Sequence, residues 1–270
     1  MMSSADRAAE LRKIRAYIRQ AESQLADLNI VPRHVRRYPF DIVALAMLSK
    51  AFAVSKACLK LLASDHSDEA YGLVRSLVES AANLRYLTSD SPQQDRRARD
   101  FVKYAMADKA YLYHYALEIT KDEKEKAELR AYAKQYGISP NTKLARQHWS
   151  GKGSGFVWLV TLEDHPLDGA MDVGHRRKAH AIDYHQTSGF VHCGLQAIDS
   201  YYVDDGVPFR VAYSSGHRET HQSTLFIILV YTHSAIGYVL HGLNLDRPSK
   251  LNGLFKRTLD RMKPIPTKHS

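Results

Sequence analysis

Leu225-Phe226-Ile227-Ile228-Leu229-Val230-Tyr231 sits inside a longer stretch, Ser223 to Leu245, that contains no Asp, Glu, Lys or Arg. The stretch is nearly long enough to cross a bilayer, so its reading decides between a membrane protein and a helical bundle. Thr232, His233, Ser234, His241 and Asn244 interrupt the apolar run, His221 stands just before it, and no comparable second span is evident elsewhere. Polar groups at that density are costly in lipid but ordinary in a packed bundle, so the stretch reads as a central buried helix with no membrane partner.

Helical periodicity continues on both sides. From Asp6 to Leu28, Leu11, Ile14, Ile18, Leu25 and Leu28 form one face, with Arg12, Lys13, Arg15 and Arg19 on the other. Asp41 to Ala63 is apolar and alanine-rich almost all round, which suits close packing. Ser67 is the expected cap of one helix running to Thr88, and Ser91-Pro92 opens a long helix to about Thr120. The charged segment Lys121 to Tyr136 reads as solvent-facing. Periodicity disappears from 138 to 178 around Trp149-Ser150-Gly151-Lys152-Gly153-Ser154-Gly155, and helix resumes from about Ala179 to Tyr202. The expected fold is an all-α, multi-helix bundle with an irregular inserted loop. It divides into a basic helix and linker over 1–39, a bundle domain over 40–243 and a basic tail over 244–270.

The chain has 38 basic against 29 acidic side chains among 270 residues, a formal charge of +9, which favours an acidic partner such as RNA. Cys58 and Cys193 are the only cysteines and lie in apolar helical patterns, which argues against a disulfide framework or a thiolate zinc site and for a reducing, cytoplasmic setting. Ser3, Ser4, Asp6 and Arg7 precede a charged helix, unlike a secretory signal.

The candidate chemistry centres on Tyr184, Ser188 and His192, which successive four-residue steps place in line on one helix face, with His185 beside them. Phenol, hydroxyl and imidazole groups can donate and accept protons near neutral pH without a cofactor, or can simply pair with neighbouring helices. Arg75 and Glu79 stand four apart beside an apolar stripe, as a buried functional pair or an ordinary surface bridge. Arg33, Arg36 and Arg37, between Pro32 and Pro39, could touch phosphate, as could Lys152 in the glycine-rich loop. That loop lacks the residue order of a nucleotide-triphosphate cradle. His217 and His221, four apart, are the alternative metal ligands, although the intervening Glu219 is misplaced for a metalloprotease motif.

Arg75-Ser76-Leu77-Val78-Glu79, the Trp149-Ser150-Gly151 loop and Tyr184-x-x-x-Ser188-x-x-x-His192 together resemble an uncharacterised bacterial helical family that is itself similar to the HEPN superfamily. The resemblance spans about Asp41 to Tyr202. It implies a cytosolic helical bundle, often a homodimer, found in toxin and antiphage defence systems, sometimes beside a partner protein or antitoxin. HEPN ribonucleases cut RNA without metal or cofactor, using an Arg shortly before a His. His192 matches the His, whereas His185, Gln186 and Thr187 occupy the places of the Arg.

The leading expectation is therefore a metal-independent endoribonuclease. His192 acts as acid or base, His185, Tyr184 and Ser188 assist, Arg75 meets phosphate and Glu79 orients Arg75. The alternatives are a non-catalytic module that binds nucleic acid or a partner protein, and a metal-dependent hydrolase using His217 and His221.

Overall fold

The computed structural model describes residues 4–28, 39–135, 150, 160, 164–168, 174, 184, 202–203, 210–211, 218–246 and 248–262. The protein is all-α. Its described helices are α1 (Ser4–Asp27), α2 (Pro39–Ala63), α3 (Ser67–Leu73), α4 (Arg75–Thr88), α5 (Gln94–Ile119), α6 (Glu123–Gln135), α7 (Arg218–Gly242) and α8 (Ser249–Asp260).

The apolar stretch that opens the sequence argument is the body of α7, which packs along α4, α2 and α3 and also meets α1 and α8. Leu225, Ile228, Leu229, Ile236 and Leu240 are buried. Each such side chain contributes about 1.5–3 kcal/mol of burial, against roughly 1 kcal/mol for a hydrogen bond such as Ser55 to Thr232 at 2.8 Å. Apolar packing therefore dominates, and the polar pairs set its register.

Those pairs also give helix directions. Arg7 meets Asp65 and Arg15 meets the Leu59 carbonyl, so α1 and α2 are antiparallel. Ser55 pairs with Thr232 while Phe40 lies against Gly242, so α2 and α7 are antiparallel too. Arg85 meets Tyr238 and Thr88 lies against Gly242, so α4 runs parallel to α7. The starts of α1, α4 and α7 thus share one end of the bundle with the end of α2.

Several sequence expectations need correction. A second helix, Phe40–Ala63, is also long and apolar enough to cross a membrane by length and composition, alongside Thr220–Gly242. Its alanines give an apolar surface nearly all round, broken by Asp41, Ser49, Ser55 and three lysines. Half of that span and 67% of the Thr220–Gly242 span are buried within the bundle. The helix expected from Ser67 to Thr88 is divided at Val74, where the Leu77 amide bonds to the Val74 carbonyl three residues back and tightens the turn. Ser67 does not cap it: its side chain is buried without a hydrogen-bond partner. Near Tyr202 the chain is not helical but pairs as Tyr202–Val203 against Arg210–Val211, antiparallel. The segment expected as a basic tail includes α8, whose Leu251 is buried and which packs on α1.

Both α2 and α7 end in a left-handed residue, Asp65 (φ 57°) and Asn244 (φ 55°). The amides of His66 and Leu245 then reach back five residues to the carbonyls of Leu61 and Leu240 at 3.0 and 2.8 Å, which satisfies orphan helix-end acceptors. Just before the second turn, a Cβ added at Gly242 would lie 2.4 Å from Phe40 Cζ and 2.7 Å from Thr88 Cγ2. Glycine is what lets α7 meet α2 and α4 there. Gly242→Ala is expected to lower stability by about 1–3 kcal/mol in urea denaturation, and an unchanged midpoint would refute the close approach.

Candidate functional site

Arg75 opens α4, so its side chain leaves the helix at the end of the bundle where α1 and α7 also begin. One turn on, Glu79 accepts from Arg75 Nε at 2.9 Å. Tyr184, 109 residues away, brings its phenol oxygen within 3.1 Å of Arg75 Nη2, and its ring lies 5.1 Å from the guanidinium carbon. Three residues singled out from sequence, Arg75, Glu79 and Tyr184, therefore converge.

Side-chain exposure is 18% for Arg75 and 38% for Glu79, so the pair lies at the protein surface rather than in its core. Burial pulls the Arg75 pKa down, but the hydrogen bond to Glu79 and the charges of Tyr184 and Glu79 outweigh it and hold the pKa above the usual arginine value. The group is a fixed cation, oriented by a carboxylate and a ring, and reachable from solvent. Such an arrangement suits an anion whose charge grows during a reaction.

The other sequence candidates His185, Ser188, His192, Arg33, Arg36, Arg37, Lys152 and His217 lie outside the described residues. His221 is described: it is buried in the first turns of α7, and burial together with the charge of Arg7 lowers its pKa. Among the described residues, no three His, Cys, Asp or Glu side chains cluster as metal ligands. Cys58 is buried, and burial pushes its thiol up to about 12, which makes it an inert core residue.

A second polar cluster was missed by sequence reasoning. Arg85 grips both carboxylate oxygens of Asp168, with Nη2 to Oδ2 at 2.6 Å, and donates to the Val160 carbonyl at 3.1 Å and to Tyr238 at 3.2 Å. His165 completes the cluster. Its Nδ1 accepts the Leu167 amide at 3.1 Å, so the proton sits on Nε2, 3.1 Å from Thr88 Oγ1, which in turn donates to the Leu84 carbonyl at 2.8 Å. The signal was present in Asp164-His165-Pro166-Leu167-Asp168, a turn-forming run inside the aperiodic loop, and in one charged residue set between buried Leu84 and Leu87.

Burial pulls the Arg85 pKa down, yet its bonds to Asp168 and Tyr238 raise it overall. His165 is pushed down to about 4 by burial and then by the charges of Arg85 and His241. With side chains of Arg85 and Asp168 only 8% and 12% exposed, this cluster is a clamp that fastens the loop to α4 and α7.

Asp168→Ala would strand a buried guanidinium and is expected to cost about 3–5 kcal/mol by chemical denaturation. The His165 pKa is depressed on folding, so its stabilisation is complete above about pH 6.5 and declines as pH falls from there toward 4. His165→Gln should flatten that part of the Tm against pH curve. An unaltered slope would show that other groups cause it.

The model of a family of unknown function (DUF5677) matches residues 41–208, a span that holds Arg75, Glu79, Arg85, His165, Asp168 and Tyr184. No curated protein and no solved structure matches the chain. The family match runs from α2 past Tyr184 and covers more than half of the sequence, so the chain belongs to the DUF5677 family of unknown function.

Proposed function

We propose that this protein is a HEPN-like, metal-independent endoribonuclease, acting in a cytoplasmic toxin or defence setting and working as a homodimer. The observation that supports this reading is the meeting of Arg75, Glu79 and Tyr184 across 109 residues of sequence. The HEPN-type arginine is missing from the positions just before His192, and Arg75 supplies a cation beside Tyr184, the first residue of the Tyr184, Ser188 and His192 spacing read from the sequence. The formal charge of +9 favours a polyanionic substrate.

In the proposed step the ribose 2′-oxygen attacks the adjacent phosphorus while its proton passes to the neutral imidazole of His185, with Tyr184 assisting by hydrogen bonding. The bond from phosphorus to the 5′-oxygen breaks, and His192 protonates that oxygen. The products are a 2′,3′-cyclic phosphate and a 5′-hydroxyl. Arg75 neutralises the charge that builds on the non-bridging oxygens, and Glu79 holds Arg75 in position.

The test incubates total RNA in excess EDTA with wild type and with folded Arg75→Ala and His192→Ala proteins. Wild type is expected to leave cyclic-phosphate ends, Arg75→Ala to be slower by about 10²–10³-fold, and His192→Ala to be inactive. RNA that is bound but uncut by wild type would replace this reading with a non-catalytic nucleic-acid-binding module. Cleavage only after zinc or manganese is added would point to the hydrolase that uses His217 and His221.

A further inference from the structure

The beginning of α1, the end of α2 and the beginning of α7 enclose a cleft of about 350 Å³, lined by Arg7, Arg12, Arg15, Asp65 and His221 beside Leu11. Arg12 and Arg15, three residues apart, share a face of α1, and Arg7 lines the cleft from nearer the helix start. Arg7 pairs with Asp65 at 3.7 Å, and Arg15 donates to the Leu59 carbonyl at 3.1 Å. Three guanidinium groups against one carboxylate leave the lining with two positive charges in excess.

His221 carries the argument from charge to ligand. It is 2% exposed, and neither ring nitrogen has a hydrogen-bond partner among the described residues. Buried polar atoms in folded proteins are almost always paired, so an unpaired imidazole on the wall of a cleft marks a contact made to something else. Its position favours an anion over a metal cation: three arginines would repel the cation and attract an oxyanion. Burial and the charge of Arg7 favour the neutral imidazole, which keeps one N–H donor for an anionic oxygen.

We propose that this cleft binds a phosphomonoester, with Arg7, Arg12 and Arg15 holding its terminal oxygens and His221 donating to one of them. The dianionic charge of a phosphomonoester matches the two excess positive charges, and forked guanidinium donors match its oxygens. The volume accommodates a nucleotide-sized molecule as well as inorganic phosphate. The phosphate could belong to a nucleoside monophosphate or to the 5′ end of an RNA strand. The proposal is independent of RNA cleavage.

The full chain is titrated with inorganic phosphate and with adenosine monophosphate, against sodium chloride at matched ionic strength, while the His221 ring resonances and Tm are followed. Saturable shifts of His221 with a rise in Tm are expected. Arg12 is exposed, so Arg12→Gln keeps the fold while weakening affinity by about ten- to a hundredfold. Arg12→Gln and Arg15→Gln proteins that titrate like wild type, or shifts reproduced by chloride, would overturn the proposal. A 5′-phosphorylated oligoribonucleotide that outcompetes its 5′-hydroxyl twin at the cleft would identify an RNA end as the ligand. Equal competition by the two, with adenosine monophosphate binding tightly, would identify a small nucleotide.

Discussion

Two thirds of the α7 span is buried, so the polar groups on its inward faces must be satisfied from inside the bundle. Thr232 finds Ser55, His233 finds the Tyr17 hydroxyl at 2.8 Å, and Tyr238 finds Arg85. Each pairing fixes a different neighbour at one height along α7, and His233 also stacks on Phe255 of α8 at 3.9 Å. Apolar burial would tolerate sliding by a turn. These polar contacts would not, because a shifted helix would leave a hydroxyl or imidazole unpaired, at about 1–3 kcal/mol each.

The same rule separates the arginines of α4. Arg85 is surrounded on all sides, and its carboxylate, carbonyl and phenol partners make it part of the framework. Arg75 is held by a carboxylate and a phenol but lies nearer to solvent, where an incoming anion can join the set. Arg97 shows a third use: it bonds the Tyr86 carbonyl and Ser89 and lies over the Tyr86 ring at 4.2 Å, which closes the end of α4. One residue type thus serves as clamp, candidate anion holder and helix cap, and burial and partners tell them apart.

Much of the helical layout was legible because periodicity and caps are local: α1, α2, α5, α6 and α7 begin and end close to their punctuation residues. The partnership of Arg75 with Glu79 was legible for the same reason, since a four-residue spacing on a helix sets its own geometry. The Arg85 to Asp168 clamp was not, because its halves lie 83 residues apart and one sits in an aperiodic loop. The split at Val74 depends on one tightened hydrogen bond, below what apolar spacing can resolve. For His221, spacing suggested a ligand but could not reveal that Arg7 from the other end of the chain sits beside it and reverses the preferred charge.

The seating of α1 carries a consequence for how the chain is made. Ile14, Tyr17 and Ile18 are buried, and Tyr17 bonds to His233, 216 residues later, with Phe255 edge-on to its ring at 6.3 Å. At about 5–20 residues per second, a ribosome needs roughly 10–40 s between these partners. For that interval the first helix has α2 beside it but lacks the part of its native cover that α7 and α8 supply. Closure then joins distant parts of the chain in a slow, high-contact-order step, and nascent chains are open to aggregation or chaperone capture until α7 and α8 emerge.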